Sequence, residues 1–239
     1  MLLVAAVAAL AADAARFEVA SIKPADPQIR PGRLGAQIQT SPSLLAARAS
    51  TLKELIAAAY AVEIYQVAGG PAWADAARFA VDAKPASPAR REQLLLMLRP
   101  LLAERFQLAF HRETRELSVY ALTVARNGPK FHRMAPGHEA EPGKLNHLGR
   151  NVDLAWFARY LTHFGADRPV IDRTGLTGNF DLDLDMEKIF AGAGESPEIG
   201  RVFEATADAL EDQLGLRLVP TKAAVELLAI DHAARPSAN

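Results

Sequence analysis

One change of apolar spacing recurs along this chain and limits what it can build. A stripe of apolar residues at helical spacing gives way to a stretch that alternates every second residue. This happens over residues 90–125, 153–186 and 202–231. An apolar helix face must be covered, and one face of a strand pair can cover it while the other stays wet. In the first stretch, Leu94, Leu95, Met97, Leu98, Leu101 and Leu102 form a wide helical face, and Phe106–His111 alternates. The polar Glu113–Arg115 then predicts a turn and Leu117–Val124 a returning strand, which together make a hairpin.

In the second stretch, Leu154, Phe157, Ala158 and Leu161 mark a helix, and Pro169–Ile171 a short strand. Arg173–Gly178 reads as a turn. Phe180, Leu182, Leu184 and Met186 then alternate with Asp181, Asp183 and Asp185, as one strand would. The third stretch predicts a helix over Val202–Leu214 with Gly215 as its C-cap. Leu216–Val219 and Val225–Ile230 form its strand pair. Upstream, Phe17–Lys23 and Phe79–Ala83 read as strands, and Thr51-Leu52-Lys53-Glu54 spells a capping box before a helix.

These readings give an α+β fold of repeated helix–β-hairpin units, with antiparallel sheet and helices on one face. Residues 127–150 lose all period and gain Gly, Pro and His. The expected division is an N-terminal lobe over 15–130, a linker over 131–150 and a C-terminal lobe over 151–239.

Residues 1–12 are apolar without a break and run into Ala12-Asp13-Ala14, the A-x-A spelling of a signal cleavage site. The run is shorter than the roughly 20 residues that a spanning helix needs. Residues 1–14 are therefore expected to be a signal peptide, and the protein to be exported, with no stable membrane insertion after its removal. The chain has no cysteine. Disulfides, thiol catalysis and Cys-based zinc sites are ruled out, and stability rests on the core. With 27 basic against 28 acidic residues, no basic stripe suggests nucleic acid.

No catalytic motif stands out. The chain lacks G-x-S-x-G, a phosphate-binding glycine loop and H-E-x-x-H. His132, His138 and His147 share the aperiodic loop and read as solvated side chains ahead of a zinc site. Asp181, Asp183 and Asp185 on one strand face could grip Ca²⁺, although alternation alone explains them. Asp172-Arg173-Thr174-Gly175 has an inserted Arg that breaks the D-T-G of an aspartic protease, so it reads as a turn. No cofactor, metal or catalytic residue is expected.

Two turns are the candidate contact surfaces. Gly69, Gly70 and Pro71 place Trp73 beside a rigid turn, where an aromatic can anchor a partner or plug the core. The other turn offers Asp172, Thr174, Gly175, Thr177 and Gly178.

The blocks FEVASIKP (17–24), TLKELIAAAY (51–60), GGPAW with RFAVDAKP (69–85), MLRPLLAERFQLAFHRETRELSVYALTVARNGPK (97–130), RPVIDRTGLTGNFDLDLDM (168–186) and EDQLGLRLVPTKAAVELLAIDHAARPSAN (211–239) carry a resemblance. The chain is similar to a soil-associated family of exported bacterial proteins, abundant in acidobacteria. That family is a domain of unknown function, and some of its members look fused to membrane metallopeptidase sensors. The resemblance implies an extracytoplasmic sensory or interaction role and brings no catalytic residues.

The leading expectation is thus a non-enzymatic binding module for a protein, peptide or envelope ligand. The alternatives are a hydrolase that assembles His111, Glu113, Asp172 and Asp231 from distant segments, and a structural spacer.

Overall fold

The computed structural model describes residues 16–29, 38–133, 151–193 and 199–236. The expected signal peptide, His138, His147 and most of the expected linker lie outside them. The fold is α+β, with antiparallel sheet and several helices. The chain divides into two compact units. One comprises Met1–Thr114 with Glu226–Asn239, the other Arg115–Val225.

The first unit holds a four-stranded antiparallel sheet in the order β1 (Phe17–Pro24), β5 (Arg78–Pro85), β3 (Leu44–Thr51), β2 (Ile38–Ser41). Helix α1 (Leu52–Tyr60) begins where β3 ends. Thr51 accepts a bond from the Glu54 amide, and Glu54 accepts one from the Thr51 amide. This reciprocal box satisfies two otherwise orphaned donors. Helix α3 (Arg91–Arg105) packs on α1. Leu52, Leu55, Ile56, Leu94, Leu98, Leu102 and Phe106 are fully buried and meet the sheet's Leu45, Val81 and Ala83 in one core.

A short strand, β4 (Val67–Gly69), and a one-turn helix, α2 (Trp73–Ala76), complete this part. β4 runs parallel to the end of β10 (Leu216–His232), with Val67, Ala68 and Gly69 opposite Leu228, Ala229 and Ile230. β10 in turn neighbours β6 (Ala109–Val124).

In the second unit, β6 pairs in parallel with β8 (Val170–Asp172). Helix α4 (Leu154–His163) packs on β8, where Thr162 donates to the Ala158 carbonyl and accepts from the Val170 amide at 2.9 Å. Helices α5 (Met186–Ala193) and α6 (Ile199–Ala209) pack together, and α6 runs into a π-turn over Leu210–Leu214. β7 (His132–Arg133) pairs with β9 (Phe180–Asp181). Leu154, Phe157, Leu161, Leu182, Leu184, Leu210, Leu214 and Leu216 fill this core. Among the described residues, no helix is long and apolar enough to cross a membrane.

Three local expectations need correction. Residues 109–124 form one strand of 16 residues, not a hairpin turning at Glu113–Arg115. Residues 216–232 form one strand of 17 residues, not a strand pair. Neither polar stretch contains a glycine, Asn or Asp, nor any residue at positive φ, to reverse the chain. Their charges stay in strand and pair between β6 and β10, through Lys222–Glu116 at 3.1 Å and Arg112–Glu226. Finally, the strand that starts at Phe180 ends at Asp181, and a helix starts at Met186. The Asp185 carboxylate accepts the Lys188 amide at 3.0 Å, the geometry of an N-cap. Alternation failed here because a short polar residue ahead of an apolar run also spells a helix start.

Candidate functional site

The Gly69–Trp73 segment is shaped by packing. Gly69 and Gly70 have φ of 69° and 81°. A Cβ on Gly69 would meet the Ile230 carbonyl oxygen at 3.2 Å, and one on Gly70 the Ile230 side chain at 3.1 Å. Glycine is required on both counts. The Pro71 carbonyl accepts the Ala74 amide where α2 begins. Trp73 is half-buried. Its ring stacks with Phe106 at 6.3 Å and meets the edge of Phe79 at 6.2 Å. The Arg235 guanidinium lies 5.6 Å from its centroid. Gly69 and Gly70 themselves remain exposed.

The Asp172–Gly178 turn is bonded to itself. Asp172 accepts from the Thr174 amide at 2.9 Å and from its hydroxyl at 2.7 Å, and the Thr174 hydroxyl accepts the Leu176 amide. Gly175 and Gly178 take φ of 71° and 101°. The Arg133 guanidinium donates to the Thr177 carbonyl and occupies the space of a Cβ on Gly178. Gly175, Thr177 and Gly178 are exposed.

The four residues considered for acid–base chemistry do not all belong to one unit. Asp172 lies in the second, tied to Thr174. The other three meet in the first. His111 Nδ1 donates to Asp231 Oδ1 at 2.8 Å, and its Nε2 lies 4.0 Å from Glu113 Oε2. His111 and Asp231 are half exposed, Glu113 less so. The strand order explains the meeting. β4, β10 and β6 are neighbours, and Gly69 sits opposite Ile230, one residue from Asp231. The first candidate turn therefore starts next to this array.

A concave site in the second unit has no counterpart in the sequence motifs. A groove of about 450 Å³ is lined by Asn127, Lys130, Asp208, Glu211, Asp212 and the backbone of Gly215. Asp208, Glu211 and Asp212 are spaced i, i+3, i+4, which puts them on one helix face. Over the π-turn Leu210 and Leu214 are buried in the core, while Glu211 and Asp212 are exposed. The opposite wall is pinned by backbone bonds, Ala125 to the Gly215 carbonyl at 2.8 Å and Lys130 to the Leu214 carbonyl at 2.9 Å. The Lys130 ammonium donates to the Asp212 carbonyl at 2.6 Å. Three carboxylates against one amine leave the groove electronegative.

A second unforeseen feature is a row of aromatic rings. Trp156 stacks on Tyr160 at 5.6 Å, and Tyr160 on Phe164 at 5.3 Å. Their i, i+4, i+8 spacing is readable in the sequence beside the core stripe. Burial raises the pKa of the Tyr160 hydroxyl. It does the same to Tyr60, against the opposing charges of Arg99 and Arg112.

Two of the three aspartates considered as a Ca²⁺ ladder serve separately. Asp181 accepts the Asn151 amide at 3.0 Å, and Asp185 caps α5. Among the described residues, no three His, Asp or Glu side chains stand ready around one metal position.

No curated protein and no solved structure matches this chain. A family model does, over residues 53–233, a span that takes in most of both cores. The chain belongs to the DUF3738 family of proteins of unknown function.

Proposed function

We propose that the protein is exported and works outside the cytoplasm as a non-enzymatic binding module for a protein, peptide or envelope ligand. Export is supported by the apolar run ahead of Ala12-Asp13-Ala14. The observation that carries the binding reading is the groove walled by Asp208, Glu211 and Asp212 with Lys130. Its charge favours a cationic group on the ligand, such as the lysine or arginine of a basic peptide. The exposed backbone of Gly69, Gly70, Gly175, Thr177 and Gly178 offers further contacts.

Calorimetric titration with a short oligolysine peptide at low ionic strength tests the groove. The expected result is saturable binding that weakens with salt and drops at least tenfold in Asp208→Asn/Glu211→Gln. Equal affinity in the double variant would remove the groove from the account. Sequencing the amino terminus of protein recovered from the cell exterior tests export. A chain still starting at Met1 would refute cleavage.

A second reading has a specific observation in its favour. Asp231 orients the imidazole of His111, and Glu113 faces its other nitrogen, an arrangement able to accept a proton from water beside an ester or amide. A hydrolase screen in which His111→Asn removes the activity would support this reading over the first.

A further inference from the structure

His111 has another property, set by the order of its neighbours. His111 and Glu113 stand two residues apart on β6, so their side chains leave the same face. Asp231 comes from the adjacent strand and takes the Nδ1 proton at 2.8 Å. A carboxylate can only accept, so in the neutral imidazole the lone pair is left on Nε2. That nitrogen looks across a 4.0 Å gap at a second donor, Glu113 Oε2.

This is the ordering found behind metal-binding histidines. An outer carboxylate fixes the ring and strengthens the nitrogen as a donor, while the inner nitrogen faces an anionic ligand. Two donors on a tetrahedral Zn²⁺, each about 2.0–2.1 Å from it, stand about 3.3 Å apart. Closing the gap asks for less than about 1 Å of movement, within the reach of a small rotamer adjustment. Asp231 is engaged at Nδ1. The protein would supply imidazole and carboxylate, and water the remaining positions, which makes an open and exchangeable site. Oxygen-seeking ions such as Mg²⁺ gain little from an imidazole.

We propose that His111 Nε2 and the Glu113 carboxylate form a surface site for a divalent Zn²⁺-type ion, with Asp231 as its positioning residue. The site is independent of the groove in the second unit, and its failure would leave the peptide titration unaffected.

The test is a titration of the metal-free chain with Zn²⁺ alone, with Mg²⁺ as control, on four proteins whose folding is checked by circular dichroism. Wild type is expected to bind one Zn²⁺ in the micromolar range and no Mg²⁺. His111→Asn and Glu113→Gln should lose that site. Asp231→Asn should retain it about tenfold more weakly, as expected for an outer-shell partner. Unchanged zinc binding in His111→Asn would assign the metal to other histidines and overturn the proposal. So would a wild type that binds no zinc at millimolar concentration.

Discussion

The backbone at Gly215 lies against the Gly128 carbonyl so closely that a Cβ at position 215 would collide with its oxygen. Gly215 also holds φ at 63°, ending the π-turn, and its carbonyl accepts the Ala125 amide. One residue thus terminates a helix and fixes a wall of the groove. Gly215→Ala should destabilise the fold by about 2 kcal/mol or more, since the strained φ and the collision add. Urea unfolding would measure this, and Gly128→Ala, which meets nothing within 4 Å, should cost less.

Trp73 and Phe106 share a stack, yet Phe106 is 0% exposed and Trp73 only half-buried. Phe106→Ala should cost about 3–5 kcal/mol. Trp73→Ala should cost roughly half that, because part of its ring already faces water. If instead Trp73→Ala left stability unchanged and abolished ligand binding, Trp73 would be a contact residue after all.

The box at the start of α1 is buried, with Thr51 3% and Glu54 9% exposed. Thr51→Ala should destabilise by about 1–2 kcal/mol in denaturant unfolding, and Thr51→Ser by much less, since serine keeps the capping oxygen.

Asp185 has a lowered pKa, chiefly because its carboxylate accepts the Lys188 amide. A depressed folded-state value means that its contribution is present above the ordinary carboxylate range and disappears as pH falls through the depressed value. Asp185→Ala should therefore melt below wild type at pH 7. The two curves should converge in strong acid. Asp167, lowered mainly by its bond to Arg168, follows the same sign.

What the sequence revealed depended on how local each signal is. The Thr51–Glu54 box, the α3 stripe and the Gly215 cap are encoded within a few residues, and all three are present. The continuity of β6 and β10 was hidden because a wet stretch of strand and a polar turn share residue types. Only the pairing between strands about a hundred residues apart distinguishes them. The groove was invisible for the same reason, since Lys130 and Asp212 are 82 positions apart. His111 and Asp231, separated by 120, could be named as candidates but not joined. The glycines of both candidate turns take positive φ. The sequence could not tell a backbone shaped for packing from one shaped for a ligand.

The binding account is tested most directly by amide chemical-shift mapping of the ¹⁵N-labelled protein during an oligolysine titration at low salt. The account predicts perturbations centred on Asn127, Lys130, Asp208, Glu211 and Asp212, saturating together and vanishing at high ionic strength. Shifts scattered over the surface, or none in that groove while the peptide still binds, would contradict it.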